Sequence, residues 1–178
     1  MLKAHAAGLG ALLGVVSLPS HAAGSAYDIG TPVDPKTISA WNIDIDSNGR
    51  GLPAGFGDVA HGKQIFNAKC ASCHGANGEG GIGDALVGGA GTLAGAKPKK
   101  TIGSYWPYPT TLFDYIRRAM PYNAPQSLSS DEVYALSAYL LYLNHIVPED
   151  TRLDAQSLPK VKMPNREGFV SDPRPGKL

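Results

Sequence analysis

The segment Cys70-Ala71-Ser72-Cys73-His74 gathers the most reactive side chains of this 178-residue chain and holds its only two cysteines. Two thiols three positions apart with an imidazole beside them suit four chemistries: a disulfide, a redox-active dithiol, part of a zinc site, or covalent attachment of haem. Structural zinc takes four protein ligands, and no second Cys/His cluster follows; past the leader only His61 and His145 remain. A thioredoxin-like dithiol belongs between a strand and a helix, whereas these flanks read as helix before the motif and glycine-rich loop after it. A plain disulfide leaves His74 without a role.

Haem c accounts for every letter. Cys-x-x-Cys-His is the attachment signature of that cofactor: Cys70 and Cys73 form thioethers to its two vinyl groups, and His74 is carried under the iron as an axial ligand. One such motif predicts one covalent haem.

The compartment follows from the N-terminus. Lys3 followed by an uncharged apolar run, Ala6 to Leu18, and the small residues Pro19-Ser20-His21-Ala22-Ala23 reads as a secretory leader. The run is too short to span a bilayer. A signal peptide over residues 1–22 and a periplasmic, exported product are therefore expected, with no integral membrane segment after cleavage. Without Lys3, fifteen basic residues face fifteen acidic ones. A neutral chain carries no electrostatic footprint for nucleic acid, and the Lys97, Lys99, Lys100 group reads as a solvated loop.

Helices must hold the motif. "DVAHGKQIFNAKCASCH" predicts a helix N-capped by Asp58 and running into the attachment site, with Val59, Gly62, Ile65 and Phe66 at helical spacing. "TTLFDYIRRAM" predicts a second helix capped by Thr110 or Thr111. "SLSSDEVYALSAYLLYLN" predicts the strongest, with Ser129 and Glu132 as a capping box and Val133, Leu136, Leu140 and Leu143 on one face. Gly75 to Gly95 carries nine glycines and predicts a loop over one haem edge.

With those elements, the chain resembles a class I cytochrome c, an all-α fold around one haem. Gly62, Phe66 and Cys70 stand at the spacing of the family's first helix, and Leu136 and Tyr139 match contact positions of its last. The family often places Gly-Pro-x-Leu in the glycine-rich loop, where the proline carbonyl accepts from the axial histidine. This chain has "GDALVGG" there, and the sequence alone assigns no acceptor.

The resemblance also implies a sixth ligand. The family places a methionine just before the last helix, often followed by proline, and Met120-Pro121 sits there. Met163-Pro164, His61 and His145 are the other candidates. Arg117 or Arg118 is implied as partner of a haem propionate, and Trp106 or a neighbouring tyrosine hydroxyl as a further donor to one. Tyr105, Trp106, Tyr108 and Tyr115 are expected in the pocket wall.

The flanks narrow the likeness. "YDIGTPVDPKTISAWNIDI", "GSYWPYPTTLFDYIRRAMPYNAPQSLSSDEVYALSAYLLYLN" and "VKMPNREGFVSDPRP" are similar to cytochrome subunits of bacterial sulfane dehydrogenase and of molybdenum sulfite dehydrogenases. The sulfane dehydrogenase subunit can carry two haem domains, so one motif favours the monohaem sulfite arrangement. The expected division is an N-terminal extension over 23–57, a cytochrome c domain over 58–145, and a proline-rich tail over 146–178. That tail is expected to run over the domain surface or onto a partner, and Asp44, Asp46, Asn48 and Gly49 to form a turn, not a calcium loop.

The implied role is a periplasmic electron-transfer protein or oxidoreductase subunit, not a catalyst. It would accept electrons from a molybdenum sulfite or sulfane dehydrogenase and pass them to a downstream cytochrome c or terminal oxidase. The alternatives are a general respiratory carrier and a haem peroxidase. The second fits poorly, because His/Met ligation fills both axial positions and no distal acid–base pair is evident.

Overall fold

The computed structural model describes residues 29–171; the expected leader and the last seven residues lie outside them. The elements run α1 (Pro35–Trp41), β1 (Phe56–Asp58), α2 (Val59–Lys69), α3 (Ala71–His74), α4 (Pro109–Ala119), α5 (Ser130–Leu143), β2 (Arg152–Asp154) and a 3-10 turn at Leu158–Lys160.

Asp58 opens α2 by accepting from the His61 N–H at 2.8 Å, which satisfies one of the four orphan donors of a helix start. The helix buries Val59, Gly62, Ile65 and Phe66. It does not run unbroken into the attachment motif. Cys70 closes it with φ −123°, and Ala71–His74 makes a separate turn in which Cys73 and His74 both donate to the Cys70 carbonyl.

α5 starts with the expected capping box. Ser129 accepts from the Glu132 N–H, and Glu132 accepts from the Ser129 N–H at 2.8 Å. The expected single apolar face becomes burial all round, from Val133 through Leu141. α2, α4 and the β-ribbon surround α5 on different sides, so residues such as Ser137 are enclosed too; its hydroxyl donates back to the Val133 carbonyl at 2.7 Å.

α2 and α5 cross at close range because Gly62 has no side chain. A Cβ there would fall 1.9 Å from the Ala135 carbonyl oxygen and 2.7 Å from the Tyr139 Cβ. One turn along α2, Phe66 meets Tyr139 with ring centroids 5.4 Å apart, a favoured aromatic separation.

α4 begins two or three residues earlier than a Thr110 or Thr111 cap would place it, and neither threonine caps it. Pro109 takes the first helical position, where its fixed φ and missing N–H cost nothing, and Tyr108 precedes it in extended form. Thr110 is carried inward, its hydroxyl buried without a partner.

The largest correction concerns the flanks. β2 pairs antiparallel with β1 in the register Phe56↔Asp154, Gly57↔Leu153, Asp58↔Arg152, so the segments before and after the helical domain close on each other. Leu153, Leu158 and Met163 are buried in the main hydrophobic core. Residues 146–165 are thus part of the domain's packing, not a surface tail. Apolar side chains at irregular spacing carry no periodic signal, yet each finds a place on faces of α4 and α5 that a helical bundle alone would leave wet. The turn expected near Asp46 forms, its carboxylate accepting from the N–H groups of Asn48 and Arg50, both at 2.9 Å.

Candidate functional site

The α2–α3 break sets the geometry of the motif. Cys70 is half-buried at the end of α2, Cys73 is exposed, and His74 closes the short turn, half-buried. Both cysteines are free. Burial pushes the Cys70 thiol up to about 11, the opposite of the lowered thiol that a redox-active dithiol uses to attack.

His74 Nδ1 lies 2.8 Å from the backbone carbonyl oxygen of Asp84. A carbonyl only accepts, so Nδ1 carries the proton and Nε2 keeps its lone pair. That is the tautomer of a metal-ligating imidazole oriented by a backbone carbonyl. The acceptor that the sequence leaves unassigned is therefore in Gly83-Asp84-Ala85-Leu86, which keeps the glycine and leucine of Gly-Pro-x-Leu with aspartate in the proline's place. Recognising those two retained residues would have located it.

Gly83 makes room for the ring. A Cβ there would lie 2.8 Å from His74 Cε1 and 2.9 Å from Nδ1. The strand of loop around it is held by the Gly83 N–H donating to the Cys73 carbonyl at 2.9 Å and the Gly80 N–H donating to the His74 carbonyl at 2.8 Å. Further on, Asn144 at the end of α5 donates to the Leu86 carbonyl at 3.1 Å. The glycine-rich loop is thereby tied to both helices that frame the site.

Met120 forms the C-cap of α4, with extended backbone and a half-buried side chain against the core. Met163 is only 3% exposed, enclosed by core residues. Its thioether is committed to packing. His61 is exposed on α2, and His145 is exposed just beyond α5 with φ +59°.

The two arginines part company. Arg118 donates through Nε and Nη2 to both oxygens of Asp114, at 3.1 and 2.8 Å, and through Nη2 to Asp44 at 2.9 Å. Those hydrogen bonds, Asp114 foremost, hold its guanidinium above its ordinary range. The sequence reading had no signal for this pairing, since Asp44 lies 74 positions away. Arg117 is half-buried. Trp106 is half-buried against the core, edge-on to Tyr115 at 5.7 Å.

The donor set fits haem c. Two thiols three positions apart, an imidazole with a free Nε2 and a thioether ahead of α5 are the groups that covalent attachment and His/Met ligation require. When bound, haem supplies a one-electron couple; the protein's part is to hold His74 in one tautomer, shield Cys70 and fix the loops on either side. Among the described residues no group of three His, Cys, Asp or Glu side chains gathers as a metal site, and no helix is long and apolar enough to cross a membrane.

Comparison with known proteins agrees with this chemistry. The family model described as cytochrome c matches residues 59–144, from the start of α2 to the end of α5. The chain is 31% identical over 113 residues to a thiosulfate dehydrogenase of Stutzerimonas stutzeri, with 62% of this chain covered. It spans only 35% of that relative's length. Among solved structures it matches a chain of the sulfane dehydrogenase SoxCD from Paracoccus pantotrophus, with TM-score 0.77 and 45% identity. That match covers 83% of this chain and 73% of the other. By likeness of sequence, fold and donor set, the chain belongs to the cytochrome c family, whose covalently bound haem c the Cys70–Cys73 pair fits.

Proposed function

We propose that this chain is a periplasmic monohaem electron carrier that takes electrons from a molybdenum sulfite or sulfane dehydrogenase and passes them to a downstream cytochrome c or terminal oxidase. The observation that carries the reading is the 45% identity to a chain of a sulfane dehydrogenase across 83% of this one. A match of that length takes in part of the N-terminal flank as well as the haem-bearing helices.

Within the reading, Cys70 and Cys73 would hold haem by thioethers, His74 Nε2 and the Met120 thioether would ligate its iron, and Arg117 is the arginine left for a propionate. Trp106 is a second donor to that edge. Ligation by both His74 and Met120 would leave no open coordination site, which would favour electron transfer over peroxidase chemistry. Substrate oxidation at molybdenum releases two electrons and one haem accepts one, so the carrier is reoxidised twice per turnover.

The test is reduction of the ferric protein, followed by its absorption, with purified molybdenum subunits of a sulfite and of a sulfane dehydrogenase and their substrates. Rapid reduction by one pair, and not by substrate alone, supports the proposal. Failure with both returns the chain to the class of general respiratory carriers. A third arm with thiosulfate and a thiosulfate dehydrogenase covers the reading that the Stutzerimonas relative favours.

A further inference from the structure

Helix α1 is at odds with the rest of the molecule. It has seven residues and none is buried. Asp34 caps it and Pro35 starts it, but helices this short are not stable in water on their own account. The apolar side chains of the helix and of Val33 just before it face solvent: Trp41 is 83% exposed, Val33 57% and Ile38 53%. Those three residues, with Thr37 and Asn42, line one shallow groove that ends at Asp44. An indole exposed so far, beside two branched aliphatic side chains, is the composition of an interface anchor.

Once the expected leader with its apolar run Ala6–Leu18 is cleaved, little apolar chain is left outside the described residues to cover this face. Residues 23–28 read Ala-Gly-Ser-Ala-Tyr-Asp and residues 172–178 read Asp-Pro-Arg-Pro-Gly-Lys-Leu, so neither carries a run of apolar side chains. The likeness to the sulfane dehydrogenase chain does include the arm. Coverage of 83% leaves roughly 30 of the 178 residues outside the match, so it begins no later than about residue 31 even if it runs to the C-terminus. Pro35–Trp41 therefore falls within a stretch shared with a chain of a dehydrogenase.

The arm also returns to the domain at a telling place. Asp44, three residues beyond Trp41, bonds Arg118 at 2.9 Å, and Arg118 stands two residues before Met120. The Asp44–Arg118 bond thereby ties the end of the arm to the last turn of α4, the helix that Met120 caps. Asp44 is the one charged residue lining the groove, and its carboxylate is paired with Arg118.

We infer that Val33, Ile38 and Trp41 form the docking face for the molybdenum catalytic subunit that reduces this cytochrome, an apolar recess on that subunit receiving the Trp41 indole. This rests on the function proposed above and names the surface through which that function operates.

The experiment uses the holo-cytochrome and whichever molybdenum subunit reduces it in the preceding test. Trp41→Ala combined with Ile38→Asp should raise the dissociation constant for that subunit at least tenfold and slow reduction at low protein concentration by a similar factor. The absorption spectrum and reduction potential should stay as in the parent, because no α1 residue enters the core. Trp41→Phe should restore most of the affinity. Parent-like affinity in the double variant would overturn the inference while leaving the carrier function intact, since the parent protein is still reduced. Weakened affinity with an altered spectrum, or a parent dimer that the variant turns into monomer, would overturn it too, in favour of a structural arm or of a second copy on this face. A parent protein reduced by neither subunit would instead remove the function on which the inference rests.

Discussion

His74 Nδ1 stands 2.8 Å from the Asp84 carbonyl, with the Gly83 backbone against the imidazole ring. One short segment thus sets both the tautomer and the orientation of the candidate proximal ligand. Gly83→Ala would place a methyl 2.8 Å from His74 Cε1, closer than such contacts allow, so ring or loop must shift. The variant is expected to retain covalent haem but to show a changed reduction potential, since hydrogen bonding to a ligand's second nitrogen raises its basicity. Redox titration checks this; an unchanged potential would mean that the Asp84 contact does not tune the site.

The two methionines should fail in different ways. Met120→Ala is expected to abolish the far-red methionine–iron band of the ferric protein and lower its potential, with modest loss of stability. Met163→Ala should leave the band in place and cost about 2–5 kcal/mol, the range for removing a buried large side chain, because Met163 is enclosed in the core. Absorption spectra and denaturant unfolding separate the two, and the reverse pattern would move the ligand to the C-terminal segment.

Removing the chain after Val147 should unfold the domain or leave it molten, contrary to what a proline-rich tail suggests. Truncation strips Leu153, Leu158 and Met163 from the core and leaves β1 without its partner. Loss of cooperative thermal unfolding, with protease sensitivity across α4, is the expected result. A truncated protein with parent-like melting would show that these contacts contribute little.

Glu132 gives stability a pH dependence. Its hydrogen bond with Lys69 Nζ at 2.7 Å, and then the Ser129 N–H, hold its carboxyl below the ordinary 4.5. The charged form is therefore favoured in the folded chain. Its contribution is full above about pH 4.5 and is lost as pH falls through the lower folded value. Glu132→Gln keeps an acceptor for the Ser129 N–H, so the cost at pH 7 should be the charge's share alone, about 0.5 kcal/mol, since the Lys69 side chain is 41% exposed and surface pairs add little. The difference from the parent should shrink on acidification; a constant difference from pH 7 to pH 3 would count against this assignment.

Local chemistry was legible in the sequence. Asp58, Ser129 and Glu132 act on backbone groups three residues away, and Val59, Ile65, Phe66 and Val133 fall at helical spacing, so their roles follow from positions along one element. Cys70, Cys73 and His74 are a contiguous motif whose chemistry needs no tertiary contact to be read. Tertiary structure alone decided what depends on residues far apart in the chain. The Asp84 carbonyl became His74's acceptor only when the glycine loop folded back, and Arg118 found Asp44 across 74 positions. Leu153, Leu158 and Met163 have no periodicity to announce burial; they are buried because β2 closes on β1 and leads the chain over faces of α4 and α5 that would otherwise stay exposed to water. Hydrophobic burial is non-directional, so which distant segment fills such a face is settled by packing of the whole chain.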